Sequence, residues 1–75
     1  MKSRLRVLRA EKGWTQEQLG AAIGVSRQAI NALETERHDP SLELAYKIAA
    51  AFDLPVEQVF PNPHQSVFSQ QRTHP

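Results

Sequence analysis

Between Thr15 and Glu34 the chain reads TQEQLGAAIGVSRQAINALE. Two short apolar groups stand there at helical spacing, Leu19 with Ile23 and Ile30 with Leu33, parted by Gly24 and Val25. Each group follows a residue that opens helices. Thr15 is an N-cap, its hydroxyl suited to accept from an otherwise unpaired N–H of the first turn. Gln18 completes a capping box by reaching back to the Thr15 backbone, and Trp14 and Leu19 flank the cap as a hydrophobic staple. Gly24 suits the left-handed residue that ends a helix, and Ser26 caps the next one. The pattern predicts two short helices joined by a tight turn. Gly20 lies inside the first helix, where glycine costs about 1 kcal/mol relative to alanine. That cost fits a place where another helix comes too close for a side chain.

A pair of this kind can set its second helix in the major groove of DNA. At these residues the chain resembles the Cro/cI-type helix-turn-helix domains of the XRE family, the phage-repressor-like DNA-binding proteins. Gln16, Leu19, Gly20, Gly24, Val25, Ser26, Ile30, Leu33 and Glu34 carry the resemblance, which runs from about Arg4 to Phe60. It implies an all-α, compact five-helix repressor domain with the helix-turn-helix in helices two and three. It also implies a sequence-specific transcriptional regulator, a repressor in the first instance. An ion pair between Arg9 and Glu34, tying helix one to the recognition helix, comes from the resemblance too. Arginine's planar fork suits a bidentate bond to a carboxylate.

With Ala29, Ile30 and Leu33 facing inward, Arg27, Gln28 and Asn31 are left on the outer face of helix three. Their chemistry suits base edges: Arg bonds guanine O6 and N7, and Gln or Asn bonds adenine N6 and N7; the resemblance favours Arg27 and Gln28 as base readers and leaves Asn31 to a base edge or to phosphate or sugar. Gln16 begins helix two, where its amide and the free backbone N–H groups can clamp a phosphate; the resemblance gives it that role, with a bond to Gln28 besides. Arg37, His38 and Ser41 follow the recognition helix as phosphate neighbours. One such domain reads only a few base pairs. Two of them roughly 34 Å apart would read a two-fold symmetric operator, so a homodimer on double-stranded DNA is expected.

The rest of the chain completes the domain. Helix one is expected from Ser3 to Lys12 with Leu5 and Leu8 inward and Val7 at the surface. Thr35 to Pro40 is a loop, because Pro40 disfavours helix at Asp39. It lacks the glycine that many relatives carry near Thr35 or Glu36. Ser41 caps helix four, which runs to Phe52 and buries Leu42, Ala45, Ile48, Ala49 and Phe52. Leu44 and Ala51 widen that apolar surface, enough for a dimer contact beside the core. Asp53 stands where relatives show Gly, and a last helix, Pro55 to Phe60, closes the core. Residues 1–60 thus form the DNA-binding domain. Residues 61–75, rich in proline, glutamine and Ser/Thr, read as a mostly flexible tail, with Val67 and Phe68 as its only large apolar side chains.

Charge agrees with this division. Residues 1–37 carry seven Lys/Arg against four Asp/Glu, and residues 38–75 carry two against four. A basic half suits phosphates. The chain has 75 residues and no cysteine, which rules out a disulfide or a cysteine metal site. A core this small rarely supplies more than about 3–5 kcal/mol. No apolar run approaches the roughly 18 residues of a membrane span, and no signal-peptide core opens the chain. A cytoplasmic, nucleoid-associated protein of bacterial or phage type is expected, without cofactor, metal or small-molecule substrate. His38, His64 and His74 lack metal-ligand spacing, and Ser26 has no nearby base, so an enzyme is not expected. Two rival readings keep the fold but act through a protein partner: an antitoxin-like protein, whose tail grips a toxin, and an interaction module without DNA binding.

Overall fold

The computed structural model describes residues 1–64. Residues 65–75, with Val67, Phe68 and most of the expected tail, lie outside the described residues. Five helices follow in order: α1 Leu5–Lys12, α2 Gln16–Ile23, α3 Arg27–Glu34, α4 Leu42–Phe52 and α5 Val56–Val59. No strand occurs among the described residues, and none of their helices is long and apolar enough to cross a membrane.

Local chemistry sets the helix starts. The Thr15 hydroxyl accepts from the Gln18 N–H at 3.0 Å, and the Gln18 side-chain oxygen accepts from the Thr15 N–H at 2.8 Å, closing the capping box. Ser26 and Ser41 cap α3 and α4 by accepting from Ala29 and Leu44. α1 starts two residues later than expected. The Ser3 hydroxyl accepts from the Leu5 N–H, while the Arg4 N–H is drawn away to the Val59 carbonyl at 2.8 Å. α5 is shorter than expected at both ends, because Pro55 and Phe60 are extended.

Gly24 ends α2 at φ 81°, a left-handed conformation that a side chain would strain. Gly20 has a different reason. A Cβ built there would lie 2.5 Å from the Val25 carbonyl oxygen, so the turn leading into α3 passes directly over this position. The Val25 N–H also bonds the Gly20 carbonyl at 2.9 Å, which fixes the turn from both sides.

One core holds the helices together. Leu5, Leu19, Ile30, Ile48 and Val59, one from each helix, are fully buried, with Leu8, Leu33, Ala45, Ala49 and Phe60 around them. Trp14 packs on this core through Phe52, the ring centroids 5.6 Å apart. The Lys12 ammonium sits 4.8 Å from the Trp14 ring centre, where the ring's negative face attracts it. Val7 is exposed, as expected of a residue off the Leu5/Leu8 stripe.

Leu42 departs from the expected buried stripe: it is 68 % exposed. It shares a face with Ala45 and Ala49, but as the first residue of α4 it is left largely uncovered by the described residues. Tyr46, one turn on, is exposed as well. Together with Pro40, Ala49, Val56 and Phe60 they line an open, mainly apolar groove between α4 and α5.

Two residues without glycine's freedom adopt positive φ, Glu36 at 62° and Asp53 at 55°. Asp53 ends α4 in the left-handed conformation. Glu36 does the same after α3, and it reverses the chain so that the Arg37 and His38 N–H groups both return to the Ala32 carbonyl.

Candidate nucleic-acid interface

α3 is anchored by Ile30 and Leu33, which leaves Arg27 and Gln28 exposed in its first turn and Asn31 half-buried one turn on. Gln16 enters from the N-terminus of α2, and the reversal at Glu36 returns Arg37 from the far end. These five side chains, with Ala32, line one concavity of about 360 Å³. All five carry hydrogen-bond donors, and the two arginines make the hollow positive. Ser41, expected beside them, is exposed at the cap of α4 and takes no part in the lining, and neither does His38.

Glu34 organises the region from beneath. Its side chain is only 3 % exposed. Arg9 donates to both its oxygens, Nε to Oε2 at 2.7 Å and Nη2 to Oε1 at 3.2 Å. The same guanidinium donates through Nη1 to the Trp14 carbonyl at 2.7 Å. α1, the entry to α2 and the end of α3 are therefore joined at one group. Gln16 Nε2 donates to Glu34 Oε1 at 3.0 Å, so its observed partner is Glu34 where Gln28 was expected. That bond sets the amide at the rim of the concavity.

Burial pushes the Glu34 carboxyl up, but the hydrogen bonds from Arg9 and Gln16, with the Arg9 charge, outweigh it and hold the pKa below the ordinary 4.5. The hydrogen bond to Glu34 likewise raises Arg9. A carboxylate with a depressed folded-state pKa adds stability that is complete above its unfolded value and is lost as pH falls through the folded one. Glu34→Gln should therefore be less stable than wild type at neutral pH. Its stability should also fall less steeply below about pH 4.5. Urea unfolding at a series of pH values measures both; parallel curves would show that Glu34 does not titrate with folding.

Sequence reasoning missed Thr35. Its hydroxyl accepts from Arg37 Nε at 3.2 Å and donates to the Asn31 carbonyl at 2.9 Å. Arg37 Nη2 then donates to Asn31 Oδ1 at 3.4 Å. No sequence pattern signals this brace, because it depends on the left-handed turn at Glu36.

Residues 5–59 match the family model described as helix-turn-helix. The chain is 48 % identical over 60 residues to the uncharacterized HTH-type transcriptional regulator MJ0272 of Methanocaldococcus jannaschii, covering 80 % of this chain and 91 % of that protein. The chain belongs to the XRE family of helix-turn-helix regulators. The HTH-type regulator YgzD of Bacillus subtilis is 47 % identical over the same length, again with 80 % and 91 % coverage. Among solved structures, this XRE-family regulator is similar to the restriction-modification controller protein C.AhdI from Aeromonas hydrophila. The TM-score is 0.70 at 35 % identity, over 76 % of this chain and 83 % of that one. The hypothetical transcription factor NHTF from Neisseria gives a TM-score of 0.70 at 32 % identity, over 84 % and 72 %. Proteins of this class are transcriptional regulators that bind double-stranded DNA, a non-enzymatic class.

Proposed function

We propose that this regulator is a sequence-specific repressor that binds a palindromic operator as a homodimer and acts in the cytoplasm. The observation that carries the reading is the single concavity shared by Gln16, Arg27, Gln28, Asn31 and Arg37. With α3 in the major groove, Arg27 and Gln28 meet base edges, since the N-terminal residues of a recognition helix reach deepest. Asn31 follows one turn behind. Gln16 and the free N–H groups of α2 hold a phosphate, and Arg37 and Ser41 flank the backbone farther along. Phosphate contacts fix register and leave sequence to the base contacts.

The dimer is supported by the exposed Leu42 and Tyr46, which leave an apolar face on α4 beside α5. A second copy covering that face would bury apolar surface at about 25 cal/mol per Å². Repression follows from occlusion: a dimer spanning a promoter excludes polymerase from the same groove.

Selection of binding sites from random duplex DNA tests the reading. A two-fold symmetric winner with half-sites about one helical turn apart is expected. Arg27→Ala and Gln28→Ala should each cost about 1–3 kcal/mol and relax the preference at defined positions. Binding that enriches no site and vanishes with salt would reduce the interaction to phosphate attraction and end the proposal.

A further inference from the structure

We propose that Arg37 sets base preference by acting on Asn31, so that the two read guanine where an isolated asparagine would read adenine. This rests on the DNA-binding reading above and assigns Arg37 to bases as well as to phosphate. The starting point is the turn after α3. Glu36 at φ 62° folds the chain back, and the Arg37 N–H bonds the Ala32 carbonyl at 2.9 Å. The Arg37 side chain is thereby laid over the outer face of α3. It is held at two points, Nε on the Thr35 hydroxyl at 3.2 Å and Nη2 on Asn31 Oδ1 at 3.4 Å.

A guanidinium has five N–H donors and no acceptor. The Asn31 amide must therefore turn its oxygen to Arg37 and its NH₂ away. An asparagine recognises adenine by accepting from N6 and donating to N7. Here the accepting oxygen lies against a full positive charge, and the adenine amino group would have to approach that charge to reach it. Guanine presents two acceptors, O6 and N7. The Asn31 NH₂ meets one, and the N–H groups of Arg37 not used in the brace meet the other. The concavity that Arg37 and Asn31 share with Arg27 and Gln28 places both within the same base-reading surface. Thr35 serves as the positioning residue that fixes the guanidinium.

The test is site selection with wild type, Arg37→Ala and Thr35→Val, each shown by its thermal melt to be folded. Paired operators differing only at the Asn31 base pair are then titrated. Wild type is expected to favour guanine about tenfold there. Arg37→Ala frees the Asn31 oxygen and should bring adenine level or ahead, while Thr35→Val should narrow the guanine preference. Adding Asn31→Ala to Arg37→Ala should remove any preference at that pair. Uniformly weaker binding by Arg37→Ala, with a salt slope reduced by about one and unchanged base preferences, would make Arg37 a phosphate contact only and overturn the inference. If wild type itself enriches no site, the DNA reading fails first and this inference falls with it.

Discussion

Arg9→Met should lose about 3–5 kcal/mol of folding stability, the range for removing one partner of a buried ion pair. Arg9 is the only cation bonded to Glu34 among the described residues, and the Glu34 side chain is 3 % exposed. Once the guanidinium is gone, Gln16 alone remains to bond that carboxylate. A core of this size supplies about the same few kcal/mol, so the variant should be largely unfolded at 25 °C. Arg9→Lys should fall between, because an ammonium cannot bond both carboxylate oxygens and the Trp14 carbonyl in the geometry of a planar fork. The informative control is the double variant Arg9→Met with Glu34→Leu. Replacing both charges by apolar side chains of similar size is often neutral or stabilising, so it should recover most of the loss. Circular dichroism without denaturant shows whether Arg9→Met is folded at all, and urea unfolding gives the values for the variants that are. A loss below about 1 kcal/mol for Arg9→Met would mean that the pair behaves like one at the surface.

Gly20→Ala is the second large effect, and here the sign itself is the prediction. On an open helix surface the change should gain about 1 kcal/mol. At Gly20 the new Cβ would meet the Val25 carbonyl oxygen at 2.5 Å, and that oxygen belongs to the backbone of the turn. It cannot swing aside as a side chain can. Overpacking of this kind costs about 1–3 kcal/mol, which outweighs the helix propensity and leaves a net loss. Because relief of the clash must shift α3 against α2, operator affinity should fall further than stability does. The exposed Ala21→Gly on the same helix is the reference, expected to cost about 1 kcal/mol with little effect on binding. A Gly20→Ala protein more stable than wild type would show that the turn yields freely.

These two positions differ in how plainly the chain announces them. Gly20 stands out because a glycine inside a helix needs a reason, and the nearest one, a turn at Gly24, is four residues away. The caps at Thr15, Ser26 and Ser41 are legible for the same reason: each hydroxyl bonds an N–H three residues on. The outward placement of Arg27 and Gln28 follows from the inward pull of Ile30 and Leu33. Periodicity failed at Leu42 because it identifies a face and says nothing about whether another element covers it. The Gln16–Glu34 bond and the Thr35–Arg37–Asn31 brace were illegible for another reason. The first spans 18 residues, and the second needs a left-handed glutamate where no sequence rule would place one.

The bond from the Arg4 N–H to the Val59 carbonyl has a further consequence. α5 is four residues long, too short to persist by its own hydrogen bonds. It survives because Val59 is buried and because its backbone is pinned to the residue that precedes α1; Arg4 Nη1 adds a second tie to the Gln58 carbonyl. Fraying cannot then begin quietly at one extremity. Releasing α5 also releases the lead-in to α1, and with it the helix that carries Arg9. Local opening and global unfolding become nearly the same event. Amide hydrogen exchange of the helices should accordingly converge on one opening free energy, a domain that comes apart as a unit or not at all.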